Sequence, residues 1–422
     1  MIEIQPVKSA IDAAVAIPGS KSFTNRALLV AALAEGRSQL TGALFSDDTR
    51  YMCIALRELG VEIEANEDRC TFWVAGNGGK IPVNHAELYV GNSGTTSRSL
   101  VSYVALGKGN FVIDGDEPMR RTRPIANLLN ALRQLGVDVR SVYDNGFLPA
   151  IVNANGFEGG KSRLNTNKSS QFLTSLMLVA PYTKKGIEVE ITDKIKTPYI
   201  DMTLSVMKAF GVTVTHENYR SFRIEGRQKY QACEFLIEPD ASSASYFFAA
   251  AALTGGRIQV DNLNTDSVQG DVHFVDVLEK MGCQVNWKDD GCEVIGAKQL
   301  KGIDIDMNAI SDTWPTLAAI APFAVSKVSI RNIGHTRWQE SDRIHATVTE
   351  LRKLGVKVVE GKDGVEISPS RITPAAIDTY NDHRIAMSFS LIGLKVPGIR
   401  IKNPSCVNKT FPTYFNVLQS LN

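Results

Sequence analysis

The sequence predicts an α/β fold in which one unit of two helices and several strands is repeated six times. In the first supporting pattern, an amphipathic helix ends at a glycine and a strand follows, as in residues 56–63 and 132–139. These glycines recur at intervals of 76, 75, 71 and 73 residues. They are Gly60, Gly136, Gly211, Gly282 and Gly355. In the second pattern, a small, apolar helix end leads through a Gly or Lys turn into a strand at six places. Such self-similarity is typical of a repeated α/β unit.

Two turn-rich joints divide the repeats into two sets of three. These joints are residues 17–20 and 238–240, and apolar runs flank both of them. A ring, a solenoid and two three-unit domains all fit the period, which alone does not choose among them. The joints favour two domains, 1–19 with 240–422 and 20–239. The N-terminal strand, predicted at residues 13–17, would then pair with the second half.

Composition narrows the functional classes. The 422 residues are 44% hydrophobic, enough for two or three domain cores. With 46 basic and 45 acidic side chains, no overall field favours nucleic acid or a membrane surface. The cysteines form no Cys-x-x-Cys pair and the histidines no His-x-x-x-His pair, which indicates reduced thiols and no structural metal. Without an apolar leader or an 18-residue apolar span, the expected protein is soluble and cytoplasmic.

Residues 18–26 predict an anion receptor at a helix start. Ser20 is a suitable N-cap, so the helix should begin near Lys21. Lys21 and Ser22 then lie in the first turn, where free N–H groups and the helix dipole favour an anion. Arg26 shares a face with Ser22. Because Ser20 stands where a Walker loop needs glycine, an ATP-type loop is excluded.

Two further turns in the first half have the same placement. Residues 91–98 form a small-residue turn between a strand predicted at 87–90 and a helix, an arrangement that brings backbone N–H groups against a ligand. Residues 120–124 crowd three arginines in front of a helix. These arginines form either a solvated face or a set of anion clamps.

The segment 167–171 opens another helix with two adjacent hydroxyls and an amide. Ser169, Ser170 and Gln171 suit oxyanions or sugar-like hydroxyls, and capping alone would account for only one serine. The segment 196–199 follows a strand and adds a phenol.

Polar clusters also precede the helices of the second half. Asp312 comes just before an apolar helix, either as a cap or as a general base that faces a substrate hydroxyl. Charge is dense at residues 337–343, 380–384 and 406–412, where salt-bridged surface turns are the alternative. If equivalent ends of the units converge, six cations would line one cleft and suit several phosphate and carboxylate charges. These are Lys21, Arg26, Arg123, Arg343, Arg384 and Lys409.

Eight motifs in this order resemble the 5-enolpyruvylshikimate-3-phosphate synthase family. They are residues 19–22 with Arg26, 91–96, 123–124, 169–171, Asp312 with 315–316, 340–343, 381–384 and 409–412. The resemblance spans residues 17–415. It implies two domains of three βαβαββ-type units each, an inside-out α/β barrel, with the active site in the interdomain cleft. It also implies transfer of the enolpyruvyl (1-carboxyvinyl) group of phosphoenolpyruvate to the 5-hydroxyl of shikimate-3-phosphate.

The resemblance assigns ligands to both substrates. Those implied for shikimate-3-phosphate are Lys21, Ser22, Arg26, Ser169, Ser170, Gln171, Lys196, Tyr199, Asp312, His335 and Gln339. Those implied for phosphoenolpyruvate are Lys21, Asn92, Gly94, Arg123, Gln171, Arg343, Arg384 and Lys409. The implied catalytic residues are Asp312 as base, with Glu340 and Lys21 in proton transfer. No metal ion or organic cofactor, no nucleic acid and no membrane is implied, and a monomer is expected.

Three positions depart from the family pattern. Gln339 stands where lysine is general, so one cation toward shikimate-3-phosphate is missing. Lys196 stands where a phosphate-binding serine is common. It would replace, from another direction, the positive charge that is missing at Gln339. Ser99 stands where proline often follows the glycine-rich helix start and would stiffen that helix.

Two alternatives remain at this stage. UDP-N-acetylglucosamine 1-carboxyvinyltransferases have the same repeats and chemistry, but that family typically places a reactive cysteine in the loop that is 118–123 here, which has none. The Ser-Ser-Gln motif also favours the shikimate enzyme. A ring-shaped clamp on nucleic acid would explain the sixfold period but predicts a strongly basic chain, whereas the pI is about 7.6.

Overall fold

The computed structural model describes residues 1–195 and 197–421; Lys196, an expected phosphate ligand, lies outside the described residues. The helices of this part of the chain are α1 (Lys21–Leu33), α2 (Asp47–Glu58), α3 (Gly94–Val104), α4 (Glu117–Arg121), α5 (Ala126–Gln134), α6 (Gln171–Val179), α7 (Thr197–Ala209), α8 (Ala241–Thr254), α9 (Phe274–Lys280), α10 (Trp314–Ile320), α11 (Arg343–Lys353), α12 (His383–Gly393) and α13 (Tyr414–Gln419).

Short strands alternate with these helices. They are β1 (Ile2–Glu3), β2 (Asp12–Val15), β3 (Glu35–Thr41), β4 (Glu62–Asn66), β5 (Thr71–Asn77), β6 (His85–Tyr89), β7 (Lys108–Asp114), β8 (Asp138–Ser141), β9 (Ala150–Asn155), β10 (Gly160–Leu164), β11 (Ile187–Ile191), β12 (Thr215–Glu217), β13 (Ser221–Ile224), β14 (Glu234–Leu236), β15 (Arg257–Asp261), β16 (Gln284–Lys288), β17 (Gly291–Ile295), β18 (Asp304–Asp306), β19 (Val328–Arg331), β20 (Val358–Glu360), β21 (Gly364–Ile367), β22 (Ala376–Ile377) and β23 (Arg400–Ile401).

Among the described residues, the strands form six small sheets, which confirms the predicted α/β fold of six repeats. Five sheets have four strands each. Their orders are β14-β3-β5-β4, β6-β7-β9-β8, β10-β11-β13-β12, β2-β15-β17-β16 and β18-β19-β21-β20. In each, the first pair is parallel and the other pairs are antiparallel. The sixth sheet, β1-β23-β22, takes its antiparallel strand from the N-terminus.

The chain exchanges strands at the two predicted joints. β2 leads through α1 into β3 but pairs with β15, so the N-terminal strand does join the second half, as predicted. β14 leads through α8 into β15 but pairs with β3. The structure accordingly contains two compact units, Met1–Pro18 with Glu238–Asn422 (unit 1) and Gly19–Ile237 (unit 2).

Each unit has a central set of three helices. In unit 2, α1, α3 and α6 pack against one another, and in unit 1, α8, α10 and α12 do so. All residues of α3 and α12 are buried. A helix that is buried on every face needs mostly small or apolar residues all round, which explains the Ser- and Thr-rich sequence of α3 and the small and apolar residues of α12.

The five repeated glycines end helices as predicted. Each has a positive φ, between +80° and +102°, which side chains with a Cβ rarely adopt. Gly60 illustrates the geometry, because its N–H donates to the Arg57 carbonyl and the next residue enters the turn toward β4. The repeat in the sequence is therefore a repeat of left-handed helix caps.

Some predicted boundaries were wrong by a few residues. β2 spans Asp12–Val15 rather than residues 13–17, and its pairing with β15 ends at the Val15–Val260 pair. β6 ends at Tyr89, one residue early. α6 starts at Gln171 rather than 167, where the Ser169 hydroxyl accepts a hydrogen bond from the Gln171 N–H at 3.2 Å.

No helix within residues 1–195 or 197–421 combines the length and apolarity that crossing a bilayer requires. The same residues contain no group of three His, Cys, Asp or Glu side chains placed to hold a metal ion.

Candidate active site

The start of α1 has the predicted cap and a buried ion pair. The Ser20 hydroxyl accepts from the Phe23 N–H at 3.5 Å. Lys21 Nζ lies 3.6 Å from Asp48 Oδ2, and only 3% of the Asp48 side chain is exposed. Asp48 itself lies in the first turn of α2, so this pair joins the starts of two helices. Asp48 was not predicted as a site residue, because the sequence pattern indicates only an ordinary acidic residue in the first turn of a helix.

Arg26 connects α1 to α7. Its Nε donates to Thr203 Oγ1 at 2.9 Å, Nη1 to the Ser22 carbonyl at 2.9 Å and Nη2 to the Tyr199 carbonyl at 3.1 Å. Burial lowers the pKa of this guanidinium to about 10. The structure therefore brings together Ser22, Arg26 and Tyr199, which the sequence analysis had assigned to one ligand.

The arginine cluster at 120–124 divides into two kinds of residue. Arg120 and Arg121 are exposed and pair with Asp114 and Glu117, so they form the solvated face that was one alternative. Arg123 is buried, and its Nη1 donates to the Asn92 carbonyl at 2.6 Å and to Asn92 Oδ1 at 2.8 Å.

The absence of a side chain at Gly94 lets this guanidinium approach the backbone closely. A Cβ added there would lie 2.0 Å from Arg123 Nη2 and 2.6 Å from Arg98 Nη1. Arg98 is also buried, and it donates to the carbonyls of Gly94 and Pro124, each at 3.1 Å. The sequence analysis gave Arg98 no role, although its position one helical turn after Gly94 placed it on the same face.

Hydrogen bonds join the helix starts of unit 2. Gln171 Nε2 donates to Thr95 Oγ1 at 3.2 Å, which links α6 to α3. Thr96 Oγ1 donates to the Asp48 carbonyl at 3.4 Å, which links α3 to α2. Together with the Lys21–Asp48 pair, these contacts place four helix N-termini side by side. Helix N-termini grouped in this way favour an anionic ligand.

Arg343 is the centre of the polar cluster in unit 1. Its Nε donates to Asp382 Oδ2 at 2.8 Å, Nη2 to Glu340 Oε2 at 2.7 Å and Nη1 to Asp312 Oδ1 at 3.1 Å. Nη1 also donates to Gln339 Oε1. Burial alone would lower the pKa of Arg343, but these three carboxylates raise it above its ordinary value.

Asp312 lies between two arginines. Its Oδ2 accepts from Arg384 Nη2 at 2.7 Å, while Oδ1 accepts from Arg343. Arg384 Nη1 donates to the Tyr246 hydroxyl at 3.3 Å, and burial raises the pKa of Tyr246 to about 12. Burial opposes the charge of Arg384, but Asp312 raises its pKa well above the ordinary value. Two guanidinium groups therefore stabilise the Asp312 carboxylate.

Three other expected ligands lie at the edge of this cluster. Lys409 Nζ is 3.5 Å from Glu340 Oε1. His335 Nε2 and Ser311 Oγ are 2.8 Å apart. Gln339, which replaces the usual lysine, accepts from Arg343 rather than presenting a cation.

Asp382 and Asp271 are acidic residues of unit 1 that were not predicted as ligands or catalytic residues. Asp382 is fully buried and caps α12 while it binds Arg343. Asp271 accepts from the Ser242 hydroxyl, and burial, reinforced by the nearby Asp312 charge, raises its pKa to about 7. Asp382 lies within the predicted 381–384 motif but had no role of its own there, because an aspartate before a helix is a common cap.

The arrangement combines cations with proton-transfer groups. In unit 1, Arg343, Arg384 and Lys409 are paired with the carboxylates of Asp312, Glu340 and Asp382. A carboxylate next to bound substrate can serve as a general base, and the cations can stabilise developing negative charge.

Comparisons with known proteins agree with these features. The sequence model of the family described as EPSP synthase (3-phosphoshikimate 1-carboxyvinyltransferase) matches residues 6–418. A protein of Nostoc punctiforme named 3-phosphoshikimate 1-carboxyvinyltransferase is 51% identical over 98% of this chain and 97% of its own length. A protein of the same name from Trichormus variabilis is 49% identical over the same shares.

A solved structure supports the same assignment. The EPSP synthase of Acinetobacter baumannii superposes with a TM-score of 0.84 at 25% identity, covering 100% of this chain and 98% of its own. These findings favour the shikimate enzymes over the UDP-N-acetylglucosamine enzymes. On the fold, the polar clusters and these matches, the chain belongs to the EPSP synthase (3-phosphoshikimate 1-carboxyvinyltransferase) family of transferases.

Proposed function

We propose that this chain transfers the enolpyruvyl group of phosphoenolpyruvate to the 5-hydroxyl of shikimate-3-phosphate and releases phosphate, a step of chorismate and aromatic amino acid biosynthesis. The observation that carries the proposal is the family membership over nearly the whole chain, with a relative of this activity at 51% identity. The cationic clusters support it, because both substrates carry phosphate and carboxylate charges.

We propose that residues of both units bind the substrates. In unit 2, the helix starts with Lys21, Ser169, Ser170 and Gln171 suit a phosphate and ring hydroxyls. Arg123, held against Gly94, suits the charged end of phosphoenolpyruvate. In unit 1, the arginines and lysine around Asp312 and Glu340 would supply the remaining positive charge.

We propose an addition–elimination reaction. Asp312 takes the proton of the 5-hydroxyl while the hydroxyl oxygen bonds to C2 of phosphoenolpyruvate. At the same time, C3 gains a proton and becomes a methyl group. Loss of a methyl proton and of phosphate from the tetrahedral intermediate restores the double bond. Glu340 and Lys21 are the proposed proton-transfer partners, and the arginines stabilise the phosphate as it leaves.

The test is release of inorganic phosphate from phosphoenolpyruvate with either acceptor and no added metal. We expect release with shikimate-3-phosphate and none with UDP-N-acetylglucosamine. Release only with the nucleotide sugar would overturn the substrate assignment, and release with neither acceptor would contradict the proposal altogether. Mass spectrometry of the product should show an added enolpyruvyl group on the shikimate ring.

We also propose that the two units are the two domains of the family's fold, and that the protein is a cytoplasmic monomer. Size-exclusion chromatography with light scattering should give a mass near 46.1 kDa. A mass of twice that value would contradict the monomer.

A further inference from the structure

The turn that precedes α12 has an unusual backbone. Tyr380 and Asn381 both have a φ of +53°, in the left-handed region. Asparagine tolerates this conformation, but a bulky tyrosine rarely adopts it. Such a conformation persists only when surrounding contacts hold it. The next residues, Asp382 and Arg384, form the cap and the first turn of α12.

A buried carboxylate on α11 holds this turn. Glu350 Oε1 accepts from the Tyr380 hydroxyl at 2.9 Å, and Oε2 accepts from the Asp378 N–H at 3.0 Å. Lys353 Nζ bridges Glu350 and Asp378 at 2.6 and 2.8 Å. The Glu350 side chain is completely buried, whereas Tyr380 is 40% exposed. Glu350 therefore holds the turn through two groups, the Tyr380 hydroxyl and the Asp378 backbone N–H.

The same helix binds the turn at a second point. Arg343 and Glu350 are seven residues apart on α11, which is about two helical turns and places them on one face. Arg343 Nε donates to Asp382 Oδ2 at 2.8 Å. One face of α11 thus contacts the segment on both sides of the strained residues, at Asp378 and at Asp382.

We propose that Tyr380 is a positioning residue for the anion-binding end of α12. Its hydrogen bond to Glu350 keeps the 379–381 turn in the left-handed conformation, so that Asp382 meets Arg343 and Arg384 meets Asp312. This inference rests on the proposed function, in which Arg384 binds phosphoenolpyruvate. Tyr380 acts through Arg384 and touches no substrate itself.

The chemistry of the pair suits this role. Burial, together with the hydrogen bond to Glu350, raises the pKa of Tyr380 to about 12, so the phenol remains a donor at neutral pH. A hydrogen bond to a buried charged acceptor is among the stronger hydrogen bonds in proteins.

The first experiment removes only the hydroxyl. We expect Tyr380→Phe to raise KM for phosphoenolpyruvate about tenfold, since one charge-assisted hydrogen bond is lost. KM for shikimate-3-phosphate should stay within twofold. The matched control is Tyr143→Phe, because Tyr143 is 67% exposed and far outside the turn in sequence; it should behave as wild type. An unchanged KM for phosphoenolpyruvate, or an equal rise in both KM values, would overturn the proposal.

The second experiment separates the hydrogen bond from the backbone strain. Tyr380→Ala and Tyr380→Gly both lose the bond, but only glycine adopts a positive φ without cost. We expect the glycine variant to have the lower KM for phosphoenolpyruvate, by about fivefold. A glycine KM equal to or above the alanine value would contradict a strained, held turn. Wild-type turnover is measured alongside. If the wild-type enzyme itself shows no activity, the result contradicts the proposed function rather than this inference.

Discussion

Gly94→Ala tests whether the Arg123 guanidinium must lie against the start of α3. The substitution adds one methyl group at a position whose φ alanine can adopt, so a loss of activity comes from contact rather than from backbone strain. That methyl carbon would lie 2.0 Å from Arg123 Nη2 and 2.7 Å from Arg123 Cζ. An ordinary contact is about 3.4 Å, so the guanidinium must move by about 1.4 Å.

The size of the effect follows from this displacement. A misplacement of about 1 Å in a binding group can reduce an enzymatic rate about 100-fold. We therefore expect kcat/KM for phosphoenolpyruvate to fall about 100-fold, mainly through KM. The free energy of unfolding should fall by about 1–3 kcal/mol, because the Arg123 bonds to Asn92 are strained or lost.

Steady-state phosphate release and urea unfolding measure the two effects. Gly136→Ala is the matched control: its φ is +86° but nothing lies within 4 Å of an added Cβ. It should lose about 1 kcal/mol of stability and keep its KM values. A Gly94→Ala enzyme with wild-type KM for phosphoenolpyruvate would refute the assignment of Arg123 to that substrate.

Three other perturbations follow from the geometry. Asp312→Asn should slow turnover at least about 100-fold while the dissociation constants of both substrates change little, and wild-type turnover would remove Asp312 from the mechanism. Arg343→Met should lower the free energy of unfolding by about 3–5 kcal/mol in urea titrations, because three buried carboxylates lose their shared cation; a change below about 1 kcal/mol would contradict this account. Bonds from Lys288, Asn286 and Arg257 lower the pKa of Glu293 to about 2, so its stabilisation is present above pH 4.5 and disappears as the pH falls toward 2. The free energy of unfolding of the Glu293→Gln variant should therefore be about 2 kcal/mol below that of wild type at pH 7 and little changed near pH 2. An equal decrease at both pH values would exclude this linkage.

The sequence predicted which residue types the site uses better than it predicted how they are paired. Lys21 and Arg343 were recognised by their motifs, yet their partners Asp48 and Asp382 lie 27 and 39 residues away along the chain. A motif consists of residues that are close together in the sequence, whereas an ion pair depends on which helices become neighbours in the folded chain. Acidic residues before helices are also frequent caps, so their second contact had no signal of its own.

Local pattern and tertiary packing therefore determined different things about this protein. The sequence alone determined the repeat, because five of the six units have a left-handed glycine at the same helix end, and it determined the order of the polar helix starts. Packing decided that Arg123 is buried while Arg120 and Arg121 remain exposed, although all three occur within four residues. The physical reason is that burial of a charge depends on acceptors from distant segments. Here these are the carbonyl and side-chain oxygens of Asn92, which only the folded chain brings within 3 Å of the guanidinium.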